Sequence, residues 1–304
     1  MNRFIRLRLL AMLLCLPFLL IFISGCGSSS QKKDEPPVYS PLQVLVPEAT
    51  GKETLGSSPM ILDVSNISQG YFIAQSDSSD LTCSLQIISP SGVLYSYFIA
   101  PGESATVTFT EGSGDYTITG YQQVQGDQYA ALYSETVTVQ LENDFLPFLY
   151  PNQYVNFTPD SKASQLALSL IDEDTVDVDA LQQIYDYVVS NLTYDYEKAD
   201  TVTTGYLPDV DETLKTGTGI CFDYAALTTA MLRSCDIPCK LQIGYAGDIK
   251  HAWIDVYIRS KGWVNQAVSF KGDTWTLMDP TFDSNSDDKE AIQDYIGDES
   301  NYTV

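Results

Sequence analysis

The sequence predicts two folded domains, an all-β domain followed by an α+β domain. Between residues 60 and 142, short β-branched and aromatic segments alternate with turn-rich pieces. Beyond residue 160 the apolar residues take helical spacing, and strand-like segments return only after a cysteine-containing helix. A chain of 304 residues is long enough for two such domains, each with its own core.

Residues 1–25 have the pattern of an export signal. Three arginines precede an apolar run from Leu9 to Ile23, which is shorter than the ~20 residues that span a bilayer. The run ends in Ile-Ser-Gly-Cys26, which resembles the bacterial lipobox, where the cysteine is lipidated. An ordinary signal or an anchor helix is the alternative, but the polar residues after Cys26 favour the lipobox. We therefore predict lipidation at Cys26.

Residues 26–58 are rich in Ser, Pro, Gly and charged residues, which predicts a flexible, solvated stalk. A lipid at Cys26 followed by a stalk predicts an extracytoplasmic protein, anchored to the membrane at the bacterial cell surface. The net charge of −24 excludes nucleic acid as a partner, because phosphates are bound through Lys and Arg. Loss of residues 1–25 would remove three arginines and no acid.

The all-β part, residues 59–145, is predicted to be an immunoglobulin-like β-sandwich. Seven short strand segments at close spacing are typical of that fold. These segments are "MILDVS", "GYFIAQ", "LTCSLQII", "GVLYSYFI", "ATVTFT", "DYTITGY" and "ALYSETVTVQL". They hold no catalytic constellation, so we expect a spacer or binding module. Residues 142–160, with three prolines and five aromatics, predict an ordered connector packed between the domains.

Residues 146–304 are predicted to form the α+β domain. The segment "DVDALQQIYDYVVSNL" places Leu181, Ile184, Val188 and Leu192 on one helical face. A loop of about thirty residues follows and leads to the segment "TGTGICFDYAALTTAMLRSC", in which Cys221 stands between two glycines and a predicted helix. Cysteines 83, 235 and 239 lie in apolar patterns and are expected to be core residues without a disulfide framework.

Cys221 has the placement that a nucleophilic thiol requires. A helix N-terminus offers unpaired N–H groups and about half a positive charge, which stabilise a thiolate and later an oxyanion. Gly217 and Gly219 are expected to allow a tight turn and to leave the sulfur uncovered. A structural cysteine is the alternative when this feature is taken alone.

His251 and Asp279 supply the other groups that such a thiol needs. His251 is the single histidine of the chain and opens the strand segment "HAWIDVYI", whose residues 251, 253, 255 and 257 share one face. Asp279 precedes a proline at a strand end, from which its carboxylate can reach a neighbouring strand. Imidazole is the usual base for a thiol and needs a third group that fixes its tautomer.

Four ordered motifs resemble the transglutaminase-like superfamily across about 150–285. They are "GICFDYA" from Gly219, "LRSCDIPCKLQIGY" from Leu232, His251-Ala252-Trp253 and Asp279-Pro280-Thr281. The resemblance implies a papain-like core, in which a cysteine-bearing helix packs on an antiparallel sheet. It also implies a nucleophile at Cys221, a general base and acid at His251, and a group at Asp279 that orients the imidazole.

The sequence departs from the family pattern at two places, and each departure leads to a further expectation. Asp236 stands where relatives often have glycine, so we expect a left-handed backbone there. Eukaryotic transglutaminases use a tryptophan upstream of the cysteine, whereas no tryptophan precedes Cys221 in this chain. Tyr194, Tyr196, Tyr206 or backbone N–H groups are the candidates for that role.

The resemblance thus implies a thiol enzyme that acts on amide or peptide bonds of protein or peptide substrates through a thioester. The acyl group passes to water or to an amine, and the absent tryptophan favours hydrolysis. A non-enzymatic surface module is the rival reading. N-acetyl transfer is disfavoured because acyl-coenzyme A is intracellular. No cofactor and no metal are expected, since one histidine and scattered cysteines do not build a zinc site.

Overall fold

The computed structural model describes residues 33–172, 174–246, 249–271, 274–277 and 300–304. The predicted signal at residues 1–25, the lipidation site Cys26 and the catalytic candidate Asp279 lie outside these residues. The described residues belong to one compact unit. Within them, no helix has both the length and the apolar character needed to cross a membrane.

The N-terminal domain consists of two antiparallel four-stranded sheets. Its strands in chain order are β1 (Thr54–Ser57), β2 (Met60–Asp63), β3 (Tyr71–Ser76), β4 (Cys83–Ile88), β5 (Leu94–Ile99), β6 (Ser104–Thr108), β7 (Gly114–Gln125) and β8 (Gln128–Val139). One sheet has the order β1-β2-β3-β6 and the other β5-β4-β7-β8. All seven predicted segments form strands, β2 to β8, and β1 is an additional strand within the predicted stalk.

The two sheets share one core because their strands alternate between buried and outward side chains. Leu62 and Phe72 of the first sheet pack in the same cluster as Leu85 and Ile118 of the second. Cys83 is buried in this core and has a free thiol, as predicted. The immunoglobulin-like type of the sandwich stays a prediction.

The segment that precedes β1 packs against the body of the protein. Val44 and Leu45 are each only 7% exposed, and Val44 belongs to the core of the C-terminal domain. The backbone N–H of Tyr39 donates to Oδ2 of Asp236 at 3.2 Å. The predicted flexible stalk over residues 26–58 is therefore wrong for this segment, because its apolar side chains and backbone groups find partners on the folded domain.

The C-terminal domain combines five helices with a five-stranded antiparallel sheet in its described part. The elements are α1 (Lys162–Leu170), α2 (Asp177–Asn191), β9 (Thr193–Tyr194), α3 (Tyr196–Thr201), α4 (Val210–Thr216), β10 (Thr218–Gly219), α5 (Cys221–Arg233), β11 (Cys239–Ala246), β12 (Ile249–Ile258), β13 (Gly262–Lys271), β14 (Thr274–Leu277) and β15 (Ser300–Thr303). The sheet order is β14-β13-β12-β11-β15, and β9 pairs in parallel with β10.

Helix α5 is the centre of this domain and is buried from Asp223 to Arg233. It packs against three helices, α1, α2 and α4, and against two strands, β11 and β12. The predicted apolar face of α2 is confirmed, since its Leu181 and Ile184 lie in the same core as Ile254 and Val256 of β12. Cys235 and Cys239 are buried free thiols there, as predicted.

Helices α3 and α4 lie inside the region that was predicted to be a loop. Each is short and begins at an aspartate that caps it. The carboxylate of Asp195 accepts the N–H of Lys198 at 2.9 Å, and that of Asp209 accepts the N–H of Glu212 at 2.9 Å. Helices of six and seven residues have too few turns to show an apolar period, so their caps are their main sequence signal.

The connector between the domains is ordered, as predicted. The ring centres of Phe145 and Tyr257 are 4.5 Å apart, and those of Phe148 and Trp263 are 5.2 Å apart. The hydroxyl of Tyr154 donates to the carbonyl oxygen of Ser96 in β5 at 2.9 Å. The connector therefore contacts both the N-terminal domain and the five-stranded sheet of the C-terminal domain.

Asp236 has φ 58°, which confirms the predicted left-handed backbone. Burial raises its pKa to about 7, although the N–H groups of Tyr39 and Gln43 and the charge of Arg259 oppose the rise. A carboxyl whose pKa is higher in the folded state than in the unfolded state destabilises the fold when it ionises. Asp236 therefore favours folding most below about pH 4, and this contribution falls as the pH rises to 7.

An Asp236→Asn variant is expected to remove this pH dependence. Asparagine tolerates the left-handed backbone and keeps a carbonyl oxygen for the Tyr39 N–H, but it does not ionise. Urea unfolding at pH 4 and pH 7.5 should show that the variant gains stability at the higher pH, by up to about 4 kcal/mol. The exposed Asp127→Asn is the control. Equal stability changes at both pH values would contradict the prediction.

Candidate functional site

Cys221 is the first residue of α5, as the sequence predicts. Ile220, with an extended backbone, is the N-cap of this helix. The carboxylate of Asp223 accepts the N–H of Ile220 at 2.8 Å and so fixes the peptide next to the thiol. The N–H groups of Cys221 and Phe222, also in the first turn, act on the sulfur and lower its pKa.

The two glycines before Cys221 have different roles. Gly217 ends α4 with φ 65°, a conformation that favours glycine, which confirms the expected turn. Gly219 has ordinary backbone angles, but a Cβ atom there would stand 2.7 Å from Cβ of Asp223. Gly219 therefore makes room for Asp223, a role that the sequence analysis did not assign.

The surroundings of the thiol have opposing effects on its pKa. Burial raises the pKa of Cys221 above its usual value, whereas the backbone N–H groups of Ala252 and Phe222 lower it and the charge of Asp223 raises it further. Phe222 belongs to α5 and Ala252 to β12, so the sulfur lies where the helix start meets the strand. By burial alone, Cys221 would be a weak nucleophile at neutral pH.

His251 is the residue immediately before Ala252 in β12, so the strand that contacts the sulfur also carries the imidazole. His251 is 8% exposed, and its ring stacks on Trp253 with ring centres 6.3 Å apart and an interplanar angle of 23°. In the register of the sheet, His251 is opposite Gly244 of β11. The structure thus brings the predicted nucleophile and the predicted base to the same end of the sheet.

The third predicted member, Asp279, lies outside the described residues. Asp255 is a buried carboxylate on the same face of β12 as His251, and it serves other partners. Its Oδ2 accepts a hydrogen bond from the side chain of Gln242 at 2.7 Å, and its Oδ1 accepts the N–H of Gln266 at 2.7 Å. Asp255 therefore joins β11, β12 and β13, and Asp279 stays the residue predicted to orient the imidazole.

The three tyrosines that were candidates for the missing tryptophan occupy different places. Tyr194 is paired with Gly219 across β9 and β10. Burial raises its pKa to about 12, and the nearby thiol of Cys221 adds to the rise. Tyr196 is 57% exposed and contacts the Tyr194 ring edge-on. The hydroxyl of Tyr206 donates to Asp223. Tyr194 is therefore the tyrosine of the three that lies beside the thiol.

Lys198 and Asp223 belong to the site but were not identified from the sequence as site residues. Nζ of Lys198 lies 2.7 Å from Oδ2 of Asp223. Asp223 had a signal, since an acidic residue three positions after an N-cap is typical of a capping interaction. The role of Lys198 depends on a contact across 25 positions, for which the local sequence has no signal.

An open cavity of about 350 Å³ lies beside this ion pair. It is lined by Lys198, Tyr206, Leu207, Asp209, Glu212, Thr213, Thr216 and Thr218. Neither Cys221 nor His251 is among the lining residues, so the cavity adjoins the ion pair and not the thiol. In the described ranges, no three His, Cys, Asp or Glu side chains are grouped as metal ligands would be.

Comparisons with known proteins agree with the resemblance over part of the chain. A family model described as the transglutaminase-like superfamily matches residues 164–280. The sequence matches no curated protein. Among solved structures, a candidate cysteine protease from Cytophaga hutchinsonii is 18% identical, with a TM-score of 0.33, over 75% of this chain and 78% of that one.

Two further solved structures are similar at lower identity. A candidate protease from Parabacteroides distasonis is 15% identical with a TM-score of 0.29, over 62% of this chain and 38% of that chain. Red sea bream transglutaminase is 14% identical with a TM-score of 0.23, over 69% of this chain and 48% of the other. The match thus spans less than half the length of either protein. Residues 164–280 are thus similar to the transglutaminase-like superfamily, a match that covers less than half of this chain.

Proposed function

We propose that this protein is an extracytoplasmic, lipid-anchored thiol enzyme that acts on amide or peptide bonds. Cys221 is the nucleophile, His251 is the general base and acid, and Asp279 orients the imidazole. The lipid anchor at Cys26 holds the enzyme at the bacterial cell surface, where protein or peptide substrates, including those of the cell envelope, are within reach. The reaction uses no cofactor.

One observation carries this proposal. Cys221 begins α5, and the N–H group of Ala252, the residue after His251, acts on its sulfur. A helix N-terminus and an imidazole-bearing strand thus meet at a single thiol. The transglutaminase-like match over residues 164–280 supports the same assignment.

The chemistry starts from transfer of the thiol proton to His251, since burial raises the pKa of an isolated Cys221. The thiolate attacks the substrate carbonyl carbon and forms a C–S bond, and the negative charge moves to the carbonyl oxygen. Backbone N–H groups of the first turn of α5 can stabilise that oxyanion. His251 then gives its proton to the departing amine, the C–N bond breaks and a thioester remains.

Water or an amine completes the cycle by attacking the thioester. The attacking group loses a proton to His251, the acyl–sulfur bond breaks, and Cys221 regains the proton. Both outcomes use the same residues, so the choice depends on access of water to the thioester. We propose hydrolysis as the main outcome, because a tyrosine, Tyr194, stands beside the thiol in place of the tryptophan expected of cross-linking relatives.

Alkylation of Cys221 with iodoacetamide across pH, followed by mass mapping, tests the proposal. Selectivity alone decides little, since Cys83, Cys235 and Cys239 are buried and protected in any case. The decisive quantity is the pH midpoint of Cys221 alkylation. We expect a midpoint well below pH 8 in the natural protein and a midpoint above the usual thiol range in His251→Gln.

An unchanged midpoint in His251→Gln would contradict the assigned base and favour the non-enzymatic surface module. Glutamine keeps a polar side chain next to Trp253, so a loss of fold is a smaller concern than with alanine. Melting temperatures of both proteins should be measured alongside, so that a folding defect is not read as a change in the thiol. Triton-phase partitioning of the exported protein, with and without Cys26→Ala, tests the anchor.

A further inference from the structure

A buried polar cluster lies within one helical turn of the thiol and takes no part in the bond changes above. We call Asp223, Lys198 and Tyr206 the Asp223 cluster. Nζ of Lys198 donates to Oδ2 of Asp223 at 2.7 Å and to the hydroxyl oxygen of Tyr206 at 2.6 Å. The Tyr206 hydroxyl donates to Oδ1 of Asp223.

The cluster joins three parts of the chain around a carboxylate that water does not reach. Asp223 has no exposed side-chain surface, whereas the side chain of Lys198 is 30% exposed. Lys198 belongs to α3, Tyr206 to the segment between α3 and α4, and Asp223 to α5. Lysine Nζ also lies 4.4 Å from the centre of the Tyr206 ring. The lysine thus brings a positive charge from the surface to a buried negative one.

The carboxylate at this position has one benefit and one cost for a thiol enzyme. Its benefit is geometric, since Oδ2 accepts the N–H of Ile220 and fixes the peptide before Cys221. Its cost is electrostatic, because a negative charge two residues away opposes the formation of a thiolate and offsets the positive helix N-terminus. In agreement, the charge of Asp223 raises the pKa of Cys221.

The contacts of Lys198 reconcile these two effects. Burial lowers its pKa, but the bonds to Asp223 and Tyr206 outweigh burial and raise it, so the lysine stays charged. A charged lysine at 2.7 Å from the carboxylate opposes its field at the thiol. The carboxylate then keeps its geometric role without opposing the nucleophile.

We propose that Lys198, supported by Tyr206, neutralises the buried carboxylate of Asp223 and thereby stabilises the negative charge that forms on the sulfur of Cys221. These are positioning residues, because they act on the thiol through Asp223 and contact no reacting atom. The inference rests on the proposed role of Cys221 as a nucleophile.

Charge variants distinguish this role from a purely structural one, because they shift the midpoint of Cys221 alkylation in opposite directions. Lys198→Met leaves the carboxylate uncompensated, so we expect the midpoint to rise by about one pH unit. Asp223→Asn leaves the lysine uncompensated and should lower the midpoint. The double variant removes both charges and should return the midpoint close to that of the natural protein. A structural role would lower the melting temperature in every variant without this reversal of sign.

The other titratable groups that face the thiol stay constant in this series. Tyr194 of β9 interacts with the thiol, and His251 of β12, the proposed base, is unchanged in every one of these variants. The pKa of Tyr194 is raised to about 12, so its hydroxyl remains neutral across the titration. Lys215→Met is the matched control, since Lys215 forms an exposed ion pair with Glu212, and its loss changes the net charge equally. We expect no shift of the midpoint in that variant.

Substitutions of the lysine alone keep the test valid if Asp223→Asn does not fold. Lys198→Arg retains the charge and should keep the natural midpoint, whereas Lys198→Gln retains hydrogen bonding without charge and should raise it. A midpoint that is equal in the Arg, Gln and Met variants would overturn the inference.

Failure of this inference is separable from failure of the proposed function. If His251→Gln leaves the midpoint unchanged, the proposed function fails, whereas a response to His251 but not to Lys198 removes this inference alone.

Discussion

A Cys221→Ala variant is expected to lose at least about 10⁴-fold in turnover of its peptide substrate. The thioester cannot form without the sulfur, and the N–H groups at the start of α5 retain only the small acceleration that an oxyanion site supplies by itself. His251→Ala should fall to a similar rate, because the thiol and its base act as one unit in the proposed mechanism. The losses in the double variant should therefore not add.

The measurement is turnover on a peptide library supplied with a labelled primary amine, so that hydrolysis and transfer products are counted together. Cys83→Ala is the matched control, since it removes an equivalent buried thiol from the sandwich core. It should lower stability by about 1 kcal/mol and leave turnover unchanged. Turnover that survives in Cys221→Ala would remove this thiol from the mechanism.

The parts of the fold that were predictable are those with a strong local pattern. Strands such as β4 alternate inward and outward side chains between turn residues, and α2 repeats its apolar residues over fifteen positions. The position of Cys221 at a helix start could be predicted because two glycines and an apolar period meet there. Asp236 could be assigned a left-handed backbone because it stands where relatives often have glycine and aspartate tolerates that conformation.

The features that were missed depend on contacts between distant segments. Val44 and Leu45 lie in an extended segment whose burial depends on a surface that its own sequence does not describe. Lys198 is a common surface residue type until Asp223 is brought beside it. Arg233 is the strongest case, because arginine is rarely fully buried and nothing near it in the sequence indicates burial.

Arg233 is fully buried at the end of α5, and its guanidinium donates to backbone oxygens of three segments. It reaches Cys239 at the start of β11 at 2.8 Å, Tyr150 of the connector at 2.8 Å and Val304 beyond β15 at 2.9 Å. Burial lowers its pKa to about 10, so it remains charged at neutral pH. One side chain therefore holds the central helix, the sheet and the connector together.

An Arg233→Met variant is expected to lose about 3–5 kcal/mol of unfolding free energy. Methionine fills part of the volume but donates nothing to the three backbone oxygens, of which that of Val304 keeps the N–H of Leu241 at 2.8 Å. Arg233→Lys should recover only part of the loss, because an ammonium on a shorter stem cannot span three acceptors in the plane of a guanidinium. Urea unfolding measures both, with Lys215→Met as an exposed control expected to change stability by less than about 0.5 kcal/mol. If Arg233→Met unfolds at the same urea concentration as the natural protein, α5 must be held by its apolar packing alone. The position of Cys221 would then owe nothing to the opposite end of its helix.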